Sequence, residues 1–106
     1  MSDKIKRIKT FEKTKLLLFN QFAKQMLKKK IKWIVVGGLD NFPNKIGRDL
    51  DIILKDKKYI KIIKNIFINC LKRLKIENTI LKNVKLFGHI LIAFDKHFNY
   101  YELDIK

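Results

Sequence analysis

Three apolar rhythms succeed one another along the chain. From about Thr10 to Lys30, the residues Phe11, Leu18, Phe22, Met26 and Leu27 recur at three- and four-residue steps among lysines, which is the spacing of one helix face. Glu12 near the start and the run Lys28-Lys29-Lys30 at the end suit the helix dipole. Residues 1–9 are charged throughout and are expected to fray. Lys32 to Val36 reads as an uninterrupted strand, apolar from Trp33 onward, as expected for a buried central strand. The loop Leu39 to Arg48 follows, with Asn41, Pro43, Asn44 and Gly47 as turn formers. Asp49 to Leu54 then opens a second apolar run.

From Asp56, a plausible N-cap, to about Lys75 the helical period returns. Tyr59, Ile60, Ile63, Ile66, Phe67, Cys70, Leu71 and Leu74 occupy one broad face, and the helix joins two strands of one sheet. Strand character resumes over Thr79 to Phe87, His89 to Phe94 and Phe98 to Ile105. The last two segments read as an antiparallel hairpin turning at Asp95-Lys96-His97. In the final strand, Glu102 and Asp104 share a face opposite Leu103 and Ile105.

With 106 residues and 47% hydrophobic content, the chain has room for one domain with a modest core. A formal charge of +15 and a pI near 10.0 favour nucleic acid, anionic lipid or phosphorylated ligands. Lys, Ile and Asn dominate the composition, so an A/T-rich genome accounts for the charge equally well. Either way the field attracts a nucleoside triphosphate. The single cysteine, Cys70, excludes an intramolecular disulfide framework, and its place in a helical apolar pattern makes it a core residue rather than a nucleophile. No apolar run approaches the length of a transmembrane segment, and the Lys-rich N-terminus has no signal-peptide core. A bacterial-type cytoplasmic protein is the expectation. The basic amphipathic first helix also suits a membrane surface or a partner, but packing on the sheet with lysines in water is the commoner use.

Candidate chemistry is concentrated between Trp33 and Leu54. There a strand ends in Gly37-Gly38, and ten residues later Asp49-Leu50-Asp51 begins the next one. Successive strand side chains alternate faces, so Asp49 and Asp51 stand together. Two carboxylates held that close repel unless a cation lies between them. Hard, oxygen-seeking Mg²⁺ suits such a pair and leaves positions for phosphate oxygens. The glycines, lacking Cβ, let the backbone turn sharply and bring its N–H groups near a triphosphate. Lys45 and Arg48 lie between glycines and aspartates, where they can meet phosphate oxygens. Their ordinary roles are a solvated charge for Lys45 and an ion partner of Asp49 for Arg48. An Asp-x-Asp pair alone is usually turn chemistry. Asp40 reads as a loop acid, Asp95 as a solvated turn residue, and His89 and His97 lack zinc-ligand spacing. No Walker lysine motif, hydrolase elbow or dinucleotide fingerprint is present.

The stretches IVVGG, LDNFPNKIGR, DLDIIL and YYELDIK together resemble the signature of the polymerase β-like nucleotidyltransferase superfamily, over about Trp33 to Lys106. That resemblance implies a nucleotidyltransferase-like α/β (α+β) fold, a small mixed β-sheet with helices packed on one face, and residues 32–106 as the catalytic core. It also implies Asp49, Asp51 and Asp104 as catalytic and metal-binding residues for Mg²⁺ or Mn²⁺. Gly37, Gly38, Lys45 and Arg48 become the contacts to a nucleoside triphosphate substrate, and Asp104 the group that activates the incoming hydroxyl. The expected reaction moves a nucleoside monophosphate to a hydroxyl acceptor and releases pyrophosphate. A sugar or small-molecule hydroxyl is the first expectation for that acceptor, a protein hydroxyl the second.

Family members usually carry further helices after the third aspartate, whereas this chain stops two residues beyond Asp104. Three alternatives follow: a minimal protein completing its site as a homodimer, a domain of a longer enzyme missing its partner domain, or a catalytically inactive relic. A noncatalytic nucleic-acid-binding or partner-binding module is the alternative function. It accounts for the charge, but leaves three acids unexplained and lacks an aromatic strand motif for base stacking.

Overall fold

A computed structural model describes residues 3–40, 42, 44, 46–47, 49–76, 79–84, 88–95, 97 and 99–106. Helix α1 spans Asp3–Lys28, and strands β1 and β2 span Trp33–Gly37 and Asp49–Leu54. A 3₁₀ turn at Lys57–Tyr59 leads into α2, Ile60–Arg73, followed by β3 (Thr79–Val84), β4 (Gly88–Phe94) and β5 (Tyr100–Ile105). The five strands form one sheet in the order β1-β2-β5-β4-β3. Only β2 and β5 are parallel neighbours; the β1/β2, β3/β4 and β4/β5 pairs are antiparallel. Helix α2 is thus a crossover connection that carries the chain from β2 to the far edge.

Strand alternation decides where the core lies. Leu50, Ile52, Leu54, Leu91, Ala93, Tyr101, Leu103 and Ile105 are all buried and belong to one face of the sheet. Against them pack Leu18, Phe22 and Met26 of α1 and Ile63, Ile66, Phe67, Cys70 and Leu71 of α2. Both helices therefore cover the same face, and the mixed α/β architecture expected from the sequence is the one observed. The Phe22 ring meets Trp33 edge-on at 5.6 Å and Phe67 at 6.4 Å, so it ties α1 to β1 and to α2 at once.

Both helices stop by the same device. Lys30 N–H donates to the Leu27 carbonyl and Ile31 N–H to that of Met26, each at 3.0 Å; Lys75 and Ile76 repeat the pattern on Lys72 and Leu71. These paired bonds form a Schellman motif, which needs a left-handed residue after the helix. Lys30 and Lys75 supply it, both at φ 58°, and the following Ile31 and Ile76 are buried. Asp56 caps the 3₁₀ turn rather than α2 itself, accepting from Lys58 N–H at 3.0 Å.

Four expectations are corrected. Helix α1 begins at Asp3, not near Thr10; once the packed turns are formed, extending the helix costs little, and Asp3 favours the dipole in its first turn. Leu27 is 79% exposed despite its place in the apolar rhythm. Strand β1 is an edge strand, not a central one. Its apolar run is continuous because Trp33 and Val35 face the helices, while Ile34 and Val36 lie on the uncovered face, 65% and 51% exposed. Asp95 is not simply solvated, since it organises the β4/β5 turn. Its carboxylate accepts from His97 N–H, Asn99 N–H, the Asn99 amide and the Tyr101 hydroxyl, at 2.8–3.2 Å. Burial works to raise its pKa, but these bonds favour the charged form and hold it below the usual carboxylate value.

Candidate metal centre

The face of the sheet opposite the helices carries the acids. Leu50, Ile52, Leu103 and Ile105 point into the core, so the alternate residues Asp49, Asp51, Glu102 and Asp104 project from the other side. Parallel pairing sets Asp49 beside Glu102 and Asp51 beside Asp104. Two neighbouring strands thus present a two-by-two block of carboxylates, in a chain whose net charge is +15.

Within the block, oxygens of Asp49, Glu102 and Asp104 lie within 4.8 Å of one another. Asp104 Oδ1 is buried without a hydrogen-bond donor. Its neighbours are carboxyls, which cannot donate once ionised. Burial, then the Glu102, Asp51 and Asp49 carboxyls, push the Asp104 pKa up to about 8. Among the described residues no lysine or arginine forms an ion pair with any of the four acids. Three convergent oxygen ligands with an orphaned acceptor among them are a donor set that a hard divalent cation fits. The fit rests on Asp49, Glu102 and Asp104.

The sequence pattern had paired Asp49 and Asp51 with Asp104. All three fall in the block: the Asp51 carboxyl stays beside Asp104, and its Oδ2 lies over Gly37, where an added Cβ would collide with it. Glu102 stands with Asp49 and Asp104 in the three-oxygen set. Its signal was the period-two alternation that sets it on the same face as Asp104, and only the β2/β5 register turned that into a contact.

The glycine pair has an internal reason as well. Gly38 is at φ +98°, and a Cβ on it would collide with the Asp49 carbonyl. Gly47 N–H donates to the Gly38 carbonyl at 2.8 Å, closing the loop on itself. Gly37 and Gly38 therefore let β1 pass directly against the two aspartates. Lys45 and Arg48, the remaining expected phosphate contacts, lie outside the described residues.

One residue of the neighbourhood had no place in the sequence reading. Lys15 of α1 is buried, its ammonium donating to the Ile46 carbonyl at 3.2 Å, 3.5 Å from Glu12 and 4.4 Å from the Phe11 ring centre. It anchors the loop between β1 and β2 to α1. A lysine occupying the apolar stripe between Phe11 and Leu18 was the available signal.

No protein-family model matches the chain, and no curated protein matches it.

Proposed function

We propose that the chain is a metal-dependent nucleotidyltransferase, moving a nucleoside monophosphate from a nucleoside triphosphate to an acceptor hydroxyl with release of pyrophosphate. The observation that carries this reading is the convergence of Asp49, Glu102 and Asp104 beside Asp51 and the glycine turn, with Asp104 Oδ1 lacking a donor. Asp49, Glu102 and Asp104 hold Mg²⁺ or Mn²⁺, and Asp51 completes the negative wall. The bound cation supplies charge neutralisation of the triphosphate for an in-line displacement at the α-phosphorus. Asp104 takes the proton from the acceptor hydroxyl; burial and the neighbouring carboxyls raise its affinity for that proton. Backbone N–H groups of the Gly37-Gly38 turn orient the β- and γ-phosphates, with Lys45 and Arg48 supplying positive charge from the same loop. The acceptor is a sugar, small-molecule or protein hydroxyl, met in the cytoplasm, where triphosphates and Mg²⁺ are supplied together.

Calorimetric titration of Mg²⁺-ATP and Mg²⁺-CTP into the wild type and the Asp49→Asn, Asp51→Asn double variant tests the proposal. Metal-dependent binding by the wild type, lost in the variant, is expected. No binding by either protein, or equal binding by both, overturns it. The charge of +15 favours a second reading, a noncatalytic nucleic-acid-binding module. That reading requires salt-sensitive RNA or DNA binding that Asp49→Asn leaves unchanged.

A further inference from the structure

At the opposite end of β2 from the acids lies a pocket of about 300 Å³ lined by Lys30, Lys32, Lys55, Asp56 and Tyr59. Four steps of extended chain separate Asp51, the nearer acid of this strand, from Lys55, ~13 Å at ~3.3 Å per residue. The pocket is therefore separate from the acid block.

Two stretches bring the lysines together, Lys30 and Lys32 in the α1/β1 connection and Lys55 just after β2. Lys30 is the left-handed residue that ends α1, at φ 58°. Lys32 and Lys55 flank the β1/β2 pair one step beyond Trp33 and Leu54, and the Lys55 N–H donates to the Lys32 carbonyl at 3.2 Å. Like charges directly opposite on neighbouring strands repel. The acid in the lining does not relieve them. Asp56 is engaged by Lys58, accepting from its backbone N–H at 3.0 Å and pairing with its ammonium at 3.6 Å. Among the described residues Lys30, Lys32 and Lys55 form no ion pair. The Lys58 ammonium also lies 5.1 Å from the centre of the Tyr59 ring, bracing the aromatic wall.

We propose that this pocket is a phosphate-binding site, taking the oxyanion of a phosphomonoester, an inorganic polyphosphate or a polynucleotide backbone. A concave site of this volume with three uncompensated ammonium groups on two strand ends and a helix end has the charge and size for one such group. Lys32 and Lys55 are held side by side by their backbone bond, so an anion between their exposed side chains offsets two like charges at once. The basic pocket and the acid block also divide the labour of one sheet, since the acids repel a phosphate in the absence of metal and the lysines attract it.

The test titrates ¹⁵N-labelled protein, free of divalent metal, with sodium tripolyphosphate and separately with a short single-stranded oligothymidylate. Saturable amide shifts centred on Lys30, Lys32, Lys55 and Tyr59 are expected. Lys32→Ala, Lys55→Ala together should weaken binding about tenfold or more, whereas Lys6→Ala, Lys9→Ala, two exposed lysines of α1, should change it about twofold or less. Lys32→Gln, Lys55→Gln serves in place of the alanine pair if that variant fails to give a dispersed spectrum. Tighter binding of the oligonucleotide identifies a polynucleotide backbone as the source of the phosphate, and tighter binding of tripolyphosphate a small phosphate ligand. Absence of saturable shifts around the pocket, or equal weakening by the two double variants, overturns the proposal in favour of diffuse charge attraction.

Discussion

Asp104 holds a proton that the same residue in an unfolded chain would have released. Its folded pKa of about 8 stands above the ordinary 3.8, so between those values the folded state binds more protons than the unfolded one. Stability then falls as pH rises through that window and levels off above it. Melting temperatures between pH 4 and 9 without divalent metal should decline more steeply for the wild type than for Asp104→Asn. Adding Mg²⁺ should restore the wild type at the alkaline end, because a cation favours the ionised carboxyl. Identical pH profiles for the two proteins would remove Asp104 from the centre of the acid block.

Gly37 offers a second test at this scale. Gly37→Ala drives a methyl group into the Asp51 carboxyl and should cost ~1–3 kcal/mol in chemical denaturation, as overpacking generally does. In an Asp51→Ala background the same substitution should cost much less, and equal costs in both backgrounds would show that the collision is not with Asp51. Much of this was legible beforehand. Alternation alone placed Asp49 with Asp51 and Glu102 with Asp104. It could not say that Glu102 stands within reach of Asp49 as well as Asp104, because that depends on which strand lies next to which. Lys15 was hidden for a related reason: a lysine in an apolar stripe has no reading until the carbonyl it serves is known.

At the scale of the element, the two Schellman turns put a cost on the chain that the sequence does not advertise. A lysine at φ 58° occupies a region where glycine is at ease and a side chain is strained. Lys75→Gly, away from both candidate sites, should therefore raise stability by ~1 kcal/mol in urea denaturation; an unchanged or lower midpoint would mean that the Lys75 side chain makes a compensating contact. Helix α2 was legible almost to its ends, since its apolar face is broad and regular. Strand β1 was legible as a strand and misplaced within the sheet. An apolar run with both faces filled usually signals burial on both sides, and here the second face is open.

The whole molecule is a small core under a large positive charge. Such charge repels itself in the compact state, so screening should stabilise the fold. The melting temperature should rise as sodium chloride goes from about 20 mM to about 500 mM, where the Debye length shrinks from tens of ångströms to a few. A fall over that range would mean that attraction, within the acid block and its surroundings, outweighs repulsion across the surface.

Local pattern was enough for the existence of both helices and the strands, though not for the start of α1, and for the face on which each acid stands and the glycine turn, because helix and strand periods are properties of short stretches of chain. Tertiary structure alone decided that β1 lies at an edge and that both helices cover one face. It alone set Glu102 against Asp49 and Asp104, and brought Lys55 beside Lys30 and Lys32 at the far end of β2. Those outcomes depend on strand order and register, which arise from packing distant segments together and leave no mark on the period of any one of them.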